Sequence, residues 1–312
     1  MDATMPTPID LGQPTRLNCE VAVFSGASGL EAQDMGAKRI ELNAPGSYDE
    51  GGLTPPVKEL TSIASQLEIA VRIMIRPRGP PRVPVLGQNQ GQDQEKKKEG
   101  EQDQDQDQDH LLQDFIYTDD EIALMLQAIH NFKATRVLNP IRGDGFVFGI
   151  LRRQTKASTL AKYPDLKYTI DEERCKLLID AARPFPCVFH RAFDPIAASE
   201  RWAKGIDILV RCGFDGVLTS GGFGNCHENL EKLDAICHRA APGSLQVIAG
   251  GGVRRGNVRN SVAQLSVHGT KSVWIHTASL ANKVDKDGRR VEELNGRELA
   301  AIVSVMNATR PD

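Results

Sequence analysis

No run of about 18 consecutive apolar residues occurs in the chain, so nothing in it reads as a membrane-spanning helix. The first sixteen residues are rich in proline and threonine and lack the apolar stretch of a secretory signal, which points to a cytosolic or nucleocytoplasmic protein. Basic residues gather nowhere beyond Lys96 to Lys98, and the formal net charge is −3, so neither a nucleic acid nor an anionic membrane surface is an expected partner. The six cysteines, at 19, 175, 187, 212, 226 and 237, form no C-x-x-C pair and no zinc-type spacing. They read as reduced thiols rather than as a disulfide framework. The turn after the first β-rich run is Ser25-Gly26-Ala27-Ser28-Gly29-Leu30, which lacks the G-x-G-x-x-G spacing of a dinucleotide-binding sheet.

What is present is a series. Short β-rich runs at 17–24, 39–43, 71–76, 146–150, 187–190, 216–220, 245–249 and 272–276 alternate with amphipathic helical segments. Ser28-x-x-Glu31, Thr118-x-x-Glu121 and Thr169-x-x-Glu172 have the form of capping boxes, and Thr54-Pro55 that of a cap followed by a first-turn proline. Eight strand–helix repeats with right-handed crossovers specify a parallel sheet covered by helices, and the count of eight favours closure. The expected fold is therefore α/β, a single (β/α)₈ TIM-type barrel over 17–307. At 312 residues the chain exceeds the roughly 250 residues such a barrel needs. The surplus falls in a flexible tail at 1–16 and at 87–113, where Gln, Asp, Lys, Glu and Gly dominate. That segment cannot bury enough apolar area to offset its chain entropy and is expected to be a disordered insertion after the third strand.

Side chains alternate along a strand, and this parity selects the residues that face the barrel axis. Glu20 and Ala22 point inward from the first strand, Glu41 and Asn43 from the second, and Met74, Arg76 and Arg78 inward or at the rim from the third. Val188 and His190 follow in the fifth, and Trp274 and His276 in the eighth. Ionisable residues thus converge where catalytic residues of this fold sit, at the strand C-termini: Glu20, Glu41, Arg76, His190, His276, and Asp194 just beyond. A salt-bridged plug of the barrel would use the same residues. The loops Thr219-Ser220-Gly221-Gly222 and Ala249-Gly250-Gly251-Gly252-Val253-Arg254 offer backbone N–H groups to an anion, with a helix start near Asn257 behind them. Ser220, Gly221, Gly222, Gly250, Gly251, Gly252, Arg254 and Arg76 are the candidate anion-binding residues. Cys226-His227 and Cys237-His238 lie on one helical segment, but its apolar stripe makes both thiols core residues, about 16 Å apart along the axis.

At these positions the sequence resembles the CutC copper homeostasis family. The matching stretches are Glu20-Val21, Arg39-Ile40-Glu41-Leu42, Glu50-Gly51-Gly52-Leu53-Thr54-Pro55, Met74-Ile75-Arg76-Pro77-Arg78-Gly79, Val147-Phe148-Gly149-Ile150-Leu151, Phe189-His190-Arg191-Ala192-Phe193-Asp194, Leu218-Thr219-Ser220-Gly221-Gly222, Gly250-Gly251-Gly252-Val253-Arg254 and Ile275-His276. The resemblance implies a (β/α)₈ fold, copper as ligand, cytosolic copper tolerance and a homo-oligomer. Family-typical inward thiols, suited to Cu(I), are replaced here by Ala22 and Asn43. Met74, His190 and His276 remain as the softer inward metal candidates. Two other readings stay open beside copper binding. One is a barrel enzyme acting on a small anionic substrate, with Arg76 and the glycine loops as anion grip, His190 or Glu41 as acid or base, and Asp194 orienting a partner. The other is a catalytically silent barrel with a salt-bridged mouth.

Overall fold

The computed structural model describes residues 16–81, 114–155, 161, 168–281, 283–286, 288 and 290–307. The tail expected at 1–16, apart from Arg16, and the insertion expected at 87–113 lie outside these residues. Eight parallel strands close into a barrel: β1 (Asn18–Val23), β2 (Arg39–Leu42), β3 (Ala70–Met74), β4 (Gly145–Phe148), β7 (Cys187–Phe189), β8 (Gly216–Thr219), β9 (Gln246–Ala249) and β10 (Val273–Thr277), with β10 pairing β1. They coincide with the eight expected runs. Two short strands, β5 (Leu151–Arg153) and β6 (Tyr168–Ile170), form an antiparallel hairpin outside the barrel that the periodicity did not reveal.

Each barrel strand is followed by helical structure: α1 (Gly26–Asp34), α2 (Val57–Thr61), α3 (Asp119–Ala134), α4 (Glu172–Ala182), α5 (Asp194–Ala198) with α6 (Trp202–Cys212), α7 (Leu230–Ala240), α8 (Val258–Leu265) and α9 (Gly296–Asn307). The core lies mostly between strands and helices. Ile40, Leu42, Phe146, Phe148, Phe189 and Ile275 all point outward into it, as parity requires. The barrel interior holds a smaller apolar cluster of Met74, Val147, Val188, Leu218 and Ile248, with Trp274 against it. All six thiols are unbridged and buried. Cys226 and Cys237 sit in the outer core as expected, but not on one helix, since Cys226 belongs to a 3₁₀ turn, Cys226–Glu228, that precedes α7.

Three helix starts differ from the spacing argument. The cap of α1 is Ser25, whose hydroxyl accepts from the Ser28 N–H; Ser28 itself stands inside the first turn. Thr169 belongs to β6, and Asp171 caps α4 by accepting from the Arg174 N–H. Thr54 precedes α2 by three residues, and its hydroxyl instead bridges the backbone of Arg76, accepting from N at 2.8 Å and donating to O at 3.0 Å. For α1 and α4 a competing polar group two or three residues away caps the helix instead, while α2 starts after Pro56 with no side-chain cap because the Thr54 hydroxyl is spent on β3's exit. Of the three expected boxes, Thr118 and Glu121 form the reciprocal one.

The third strand's exit is clamped. Arg76 donates to Asp114 Oδ2 at 2.6 Å, and Arg78 donates to Asp114 O and Ile116 O at 3.0 and 2.8 Å. Both sides of the 82–113 segment are thereby fixed to one another.

The corrected cap makes a direct prediction. Ser25→Ala removes a cap and should cost about 1 kcal/mol, whereas Ser28→Ala keeps it and should cost a few tenths. Urea denaturation with unchanged slope measures both; equal losses would restore Ser28 as the cap.

Candidate functional site

Glu20 sits mid-strand in β1, and the parallel register places Arg39 of β2 and His276 of β10 directly across from it on either side. All three side chains point inward. Glu20 Oε2 accepts from Arg39 Nε, and Oε1 meets His276 Nδ1 at 2.8 Å. Arg39 also donates to Gln246 Oε1 at 2.9 Å and stacks over Trp274, its guanidinium carbon 4.0 Å from the ring centre. Burial would raise the Glu20 pKa, but Arg39 and His276 overcome it and pull the carboxyl down to about 2. Glu20 is therefore an anion holding an imidazole in place.

Glu41 is one inward step above Arg39 on the same strand and is also buried. Its Oε1 accepts from Asn43 Nδ2 at 3.3 Å, while Oε2 is buried with no partner among the described residues. Burial, aided by the charge of Glu20, pushes its pKa up despite His276 and Arg39 nearby. His276 moves up as well: burial opposes its charge, but Glu41 and Glu20 outweigh that. Ligand atoms of Glu20, Glu41 and His276 lie within 4.8 Å of one another. Two carboxylates driven in opposite directions around one imidazole is the arrangement that separates a charged holder from a proton-exchanging group.

His190 follows β7 and is neutral. Its Nδ1 accepts from the Ala192 N–H at 3.2 Å, leaving Nε2 buried without a partner among the described residues. Burial and the nearby Arg76 push its pKa down to about 3. Gly149 makes room for it, since a Cβ there would stand 2.6 Å from Nδ1.

These residues line a cavity of about 650 Å³ at the strand C-termini, together with Ala22, Asn43, Met74, Asp194, Arg191, Gly222, Gly251, Gly252 and Arg254. Ten expected site residues, Glu41, Met74, Arg76, His190, Asp194, Gly222, Gly251, Gly252, Arg254 and His276, thus share one cavity, with Glu20 behind His276 and with Ser220, Gly221 and Gly250 outside the lining. Arg76 is not a free fork, however. One terminal nitrogen donates to Glu50 O and Gly52 O, and the other to Asp114. It ties the loop after β2 to the rim. That loop closes only because Gly52 has φ +87° and no Cβ, which would overlap Asn43 Oδ1.

Besides Arg254, the mouth has a second exposed guanidinium, Arg191, which inward parity does not reveal. Asp194 aligns it by accepting from Nε at 2.7 Å, and Ser220 Oγ accepts from Nη2 at 3.3 Å. Asp194 also accepts from Thr219 Oγ1 and the Ser220 N–H at 2.7 and 2.9 Å. The Gly221 N–H is taken by Thr219 Oγ1 and that of Gly250 by Thr219 O. Ser220, Gly221 and Gly250 therefore hold the loops together. Gly222, Gly251 and Gly252 line the cavity, and their N–H groups have no acceptor among the described residues.

Residues 17–81 and 112–275 match the model of the CutC family. The chain belongs to the CutC family. A human relative named copper homeostasis protein cutC homolog is 31% identical over 244 residues, covering 77% of this chain and 67% of that protein. The crystal structure of a putative copper homeostasis protein CutC from Streptococcus agalactiae, 22% identical, covers 84% of this chain and 98% of its own with a TM-score of 0.58. It shares the barrel fold. No described helix of this CutC-family chain is long and apolar enough to cross a membrane.

The paired charge sets an acid dependence. Because the folded Glu20 carboxyl titrates below its unfolded range near 4.3, its contribution to stability is present above that range and is lost as pH falls towards about 2. Glu20→Gln should be less stable than wild type at neutral pH, since it leaves Arg39 buried and unpaired, and should lose less on acidification between pH 4 and 2. Urea titrations across that range check it; parallel curves would mean that Glu20 is not ionised in the fold.

Proposed function

We propose that this chain serves copper homeostasis, the role named for its human relative, through a barrel mouth that does acid–base chemistry on a small anionic ligand rather than storing Cu(I) on thiolates. The observation that carries the chemistry is the Glu20-held His276 beside Glu41, one of whose carboxylate oxygens is buried without a partner among the described residues, both side chains lining a cavity with Arg191 at its rim.

The donor set does not fit Cu(I), which favours soft thiolate and thioether ligands. Ala22 and Asn43 supply no sulfur, and none of the six cysteines lines the cavity. Burial pushes the thiols up, Cys19 and Cys187 to about 12, so they stay protonated. Met74 offers a single thioether, packed in the apolar cluster. Met74, His190 and His276 do not make a Cu(I) site together, because the His190 Nδ1 is engaged and its Nε2 is best read as the protonated nitrogen. The oxygen and imidazole set of Glu20, Glu41 and His276 favours a second reading, a divalent ion held there, but such an ion would have to compete with the Arg39 guanidinium for Glu20.

In the acid–base reading the anion, a phosphate or carboxylate, is held by Arg191, Arg254 and the amides of Gly222, Gly251 and Gly252. Glu41 exchanges a proton with the ligand, since its raised pKa brings it towards the working range. His276 carries the complementary proton, fixed in orientation by Glu20. His190 gives a neutral N–H from the other side.

Phosphate should therefore stabilise the protein, by about 2.7 kcal/mol at a hundredfold excess over its dissociation constant. Arg191→Ala should remove the gain, and Glu41→Gln should keep it, because Glu41 is placed for proton exchange rather than anion grip. Melting curves at matched ionic strength with chloride as control measure this. Equal gains in wild type and Arg191→Ala would make the glycine loops turns only and the mouth a salt-bridged plug.

A further inference from the structure

At the other end of the barrel a second group of side chains converges. Asp234 and His238 lie one turn apart on α7, on the side away from its buried Leu233, Ile236, Cys237 and Ala240. The 3₁₀ turn Ser266–His268, which follows α8, brings His268 against them. Both α7's last turn and His268 come just before the strands β9 and β10 begin, so the group lies away from the mouth, where those strands end.

His268 Nε2 is 2.7 Å from Asp234 Oδ1, and His238 Nε2 is 3.7 Å from Asp234 Oδ2. The two imidazoles meet edge to face with centres 4.6 Å apart. One ligand atom from each residue falls within 4.8 Å of the others. Around a tetrahedral ion with bonds of 2.0–2.2 Å, donors stand about 3.3 Å apart, so closing the group needs a movement of about an ångström. His238 can supply it, because its side chain is 71% exposed. The Asp234–His268 contact by itself would fasten α7 to the loop before β10. It gives no reason for an exposed His238 to turn towards the same carboxylate.

We propose that Asp234, His238 and His268 form a site for a divalent borderline ion, Zn²⁺ or Cu²⁺, on the outer face of the barrel. Two imidazoles and a carboxylate suit these ions and disfavour Mg²⁺ and Ca²⁺, which take oxygen, as well as Cu(I), which takes sulfur. With three protein ligands the fourth position faces solvent. The ion joins α7 to the α8–β10 connection and therefore binds the folded state alone, so it stabilises the fold by linkage. The site is independent of the mouth and of the chemistry proposed there.

Calorimetric titration of the untagged full chain with Zn²⁺, and separately with Cu²⁺, tests it. The expected result is a saturable equivalent that raises the melting temperature, is lost in His238→Ala and in His268→Asn, and persists in Glu41→Gln. Nitrogen couplings from two imidazoles should appear in the Cu²⁺ electron paramagnetic resonance spectrum of wild type and be absent from that of His238→Ala. His238→Ala is the decisive variant because it leaves the Asp234–His268 contact intact. Unchanged stoichiometry in His238→Ala, or loss of the equivalent in Glu41→Gln instead, would overturn the proposal and assign the ion to the mouth carboxylates.

Discussion

A carboxylate inside a barrel costs several kcal/mol of lost hydration unless its charge is answered at close range. Glu20 is answered twice, and the barrel's own register does it. Arg39 and His276 are its cross-strand partners on the two neighbouring strands, about 4.8 Å away on either side. The contact with His276 spans β10 and β1, the pair through which the last strand meets the first and the barrel closes. A buried charge, a closed sheet and an oriented imidazole are thus one interaction. Removing Glu20 would leave Arg39 uncompensated, free the His276 ring and take away the field that sets Glu41 apart.

The interior is consequently two-sided. Met74, Val147, Val188, Leu218 and Ile248, from β3, β4, β7, β8 and β9, make an apolar wall. Glu20, Arg39, Glu41 and His276, from β1, β2 and β10, make an ionic one. Arg72 on β3 joins the ionic side with two nitrogens lacking partners among the described residues, and burial brings its pKa down to about 10. An apolar wall facing charges lowers the local dielectric, so each charge shifts its neighbour further than it would at a surface. His190, on the apolar side beside Arg76, goes down; His276, between two carboxylates, goes up. The same residue type is thus shifted in opposite directions within one cavity. In the acid–base reading proposed above, it is that difference, rather than any single residue, that would suit the mouth to proton exchange.

The barrel was legible because strand alternation and strand count are local properties of the sequence, and inward parity followed from them. Glu20, Glu41, His190 and His276 were found on that argument alone. Arg39 and Arg72 share that parity, two residues before Glu41 and Met74, but stand below the strand ends where catalytic residues of this fold gather. Arg191 could not, because the chain turns into the 3₁₀ helix Arg191–Phe193 directly after His190 and alternation stops. Asp114 was equally out of reach. It meets Arg76 across 38 residues, most of them the Gln/Asp-rich segment, and no spacing links the two. Sequence alone leaves the glycine loops wholly open to an anion; Thr219, whose hydroxyl claims the Gly221 N–H and whose carbonyl claims that of Gly250, and the Asp194 carboxylate, which claims that of Ser220, narrow them to Gly222, Gly251 and Gly252.

The account rests on the two mouth imidazoles holding different protonation states, and nitrogen-15 spectra of selectively labelled histidine across pH measure that directly. His276 should titrate above the ordinary histidine range near 6.5, and His190 should remain neutral down to about pH 3, in one tautomer with its proton on Nε2. In Glu20→Gln the His276 transition should fall while that of His190 stays. If both rings titrate together near 6.5, and Glu20→Gln moves neither, the charge separation proposed for the barrel mouth does not exist.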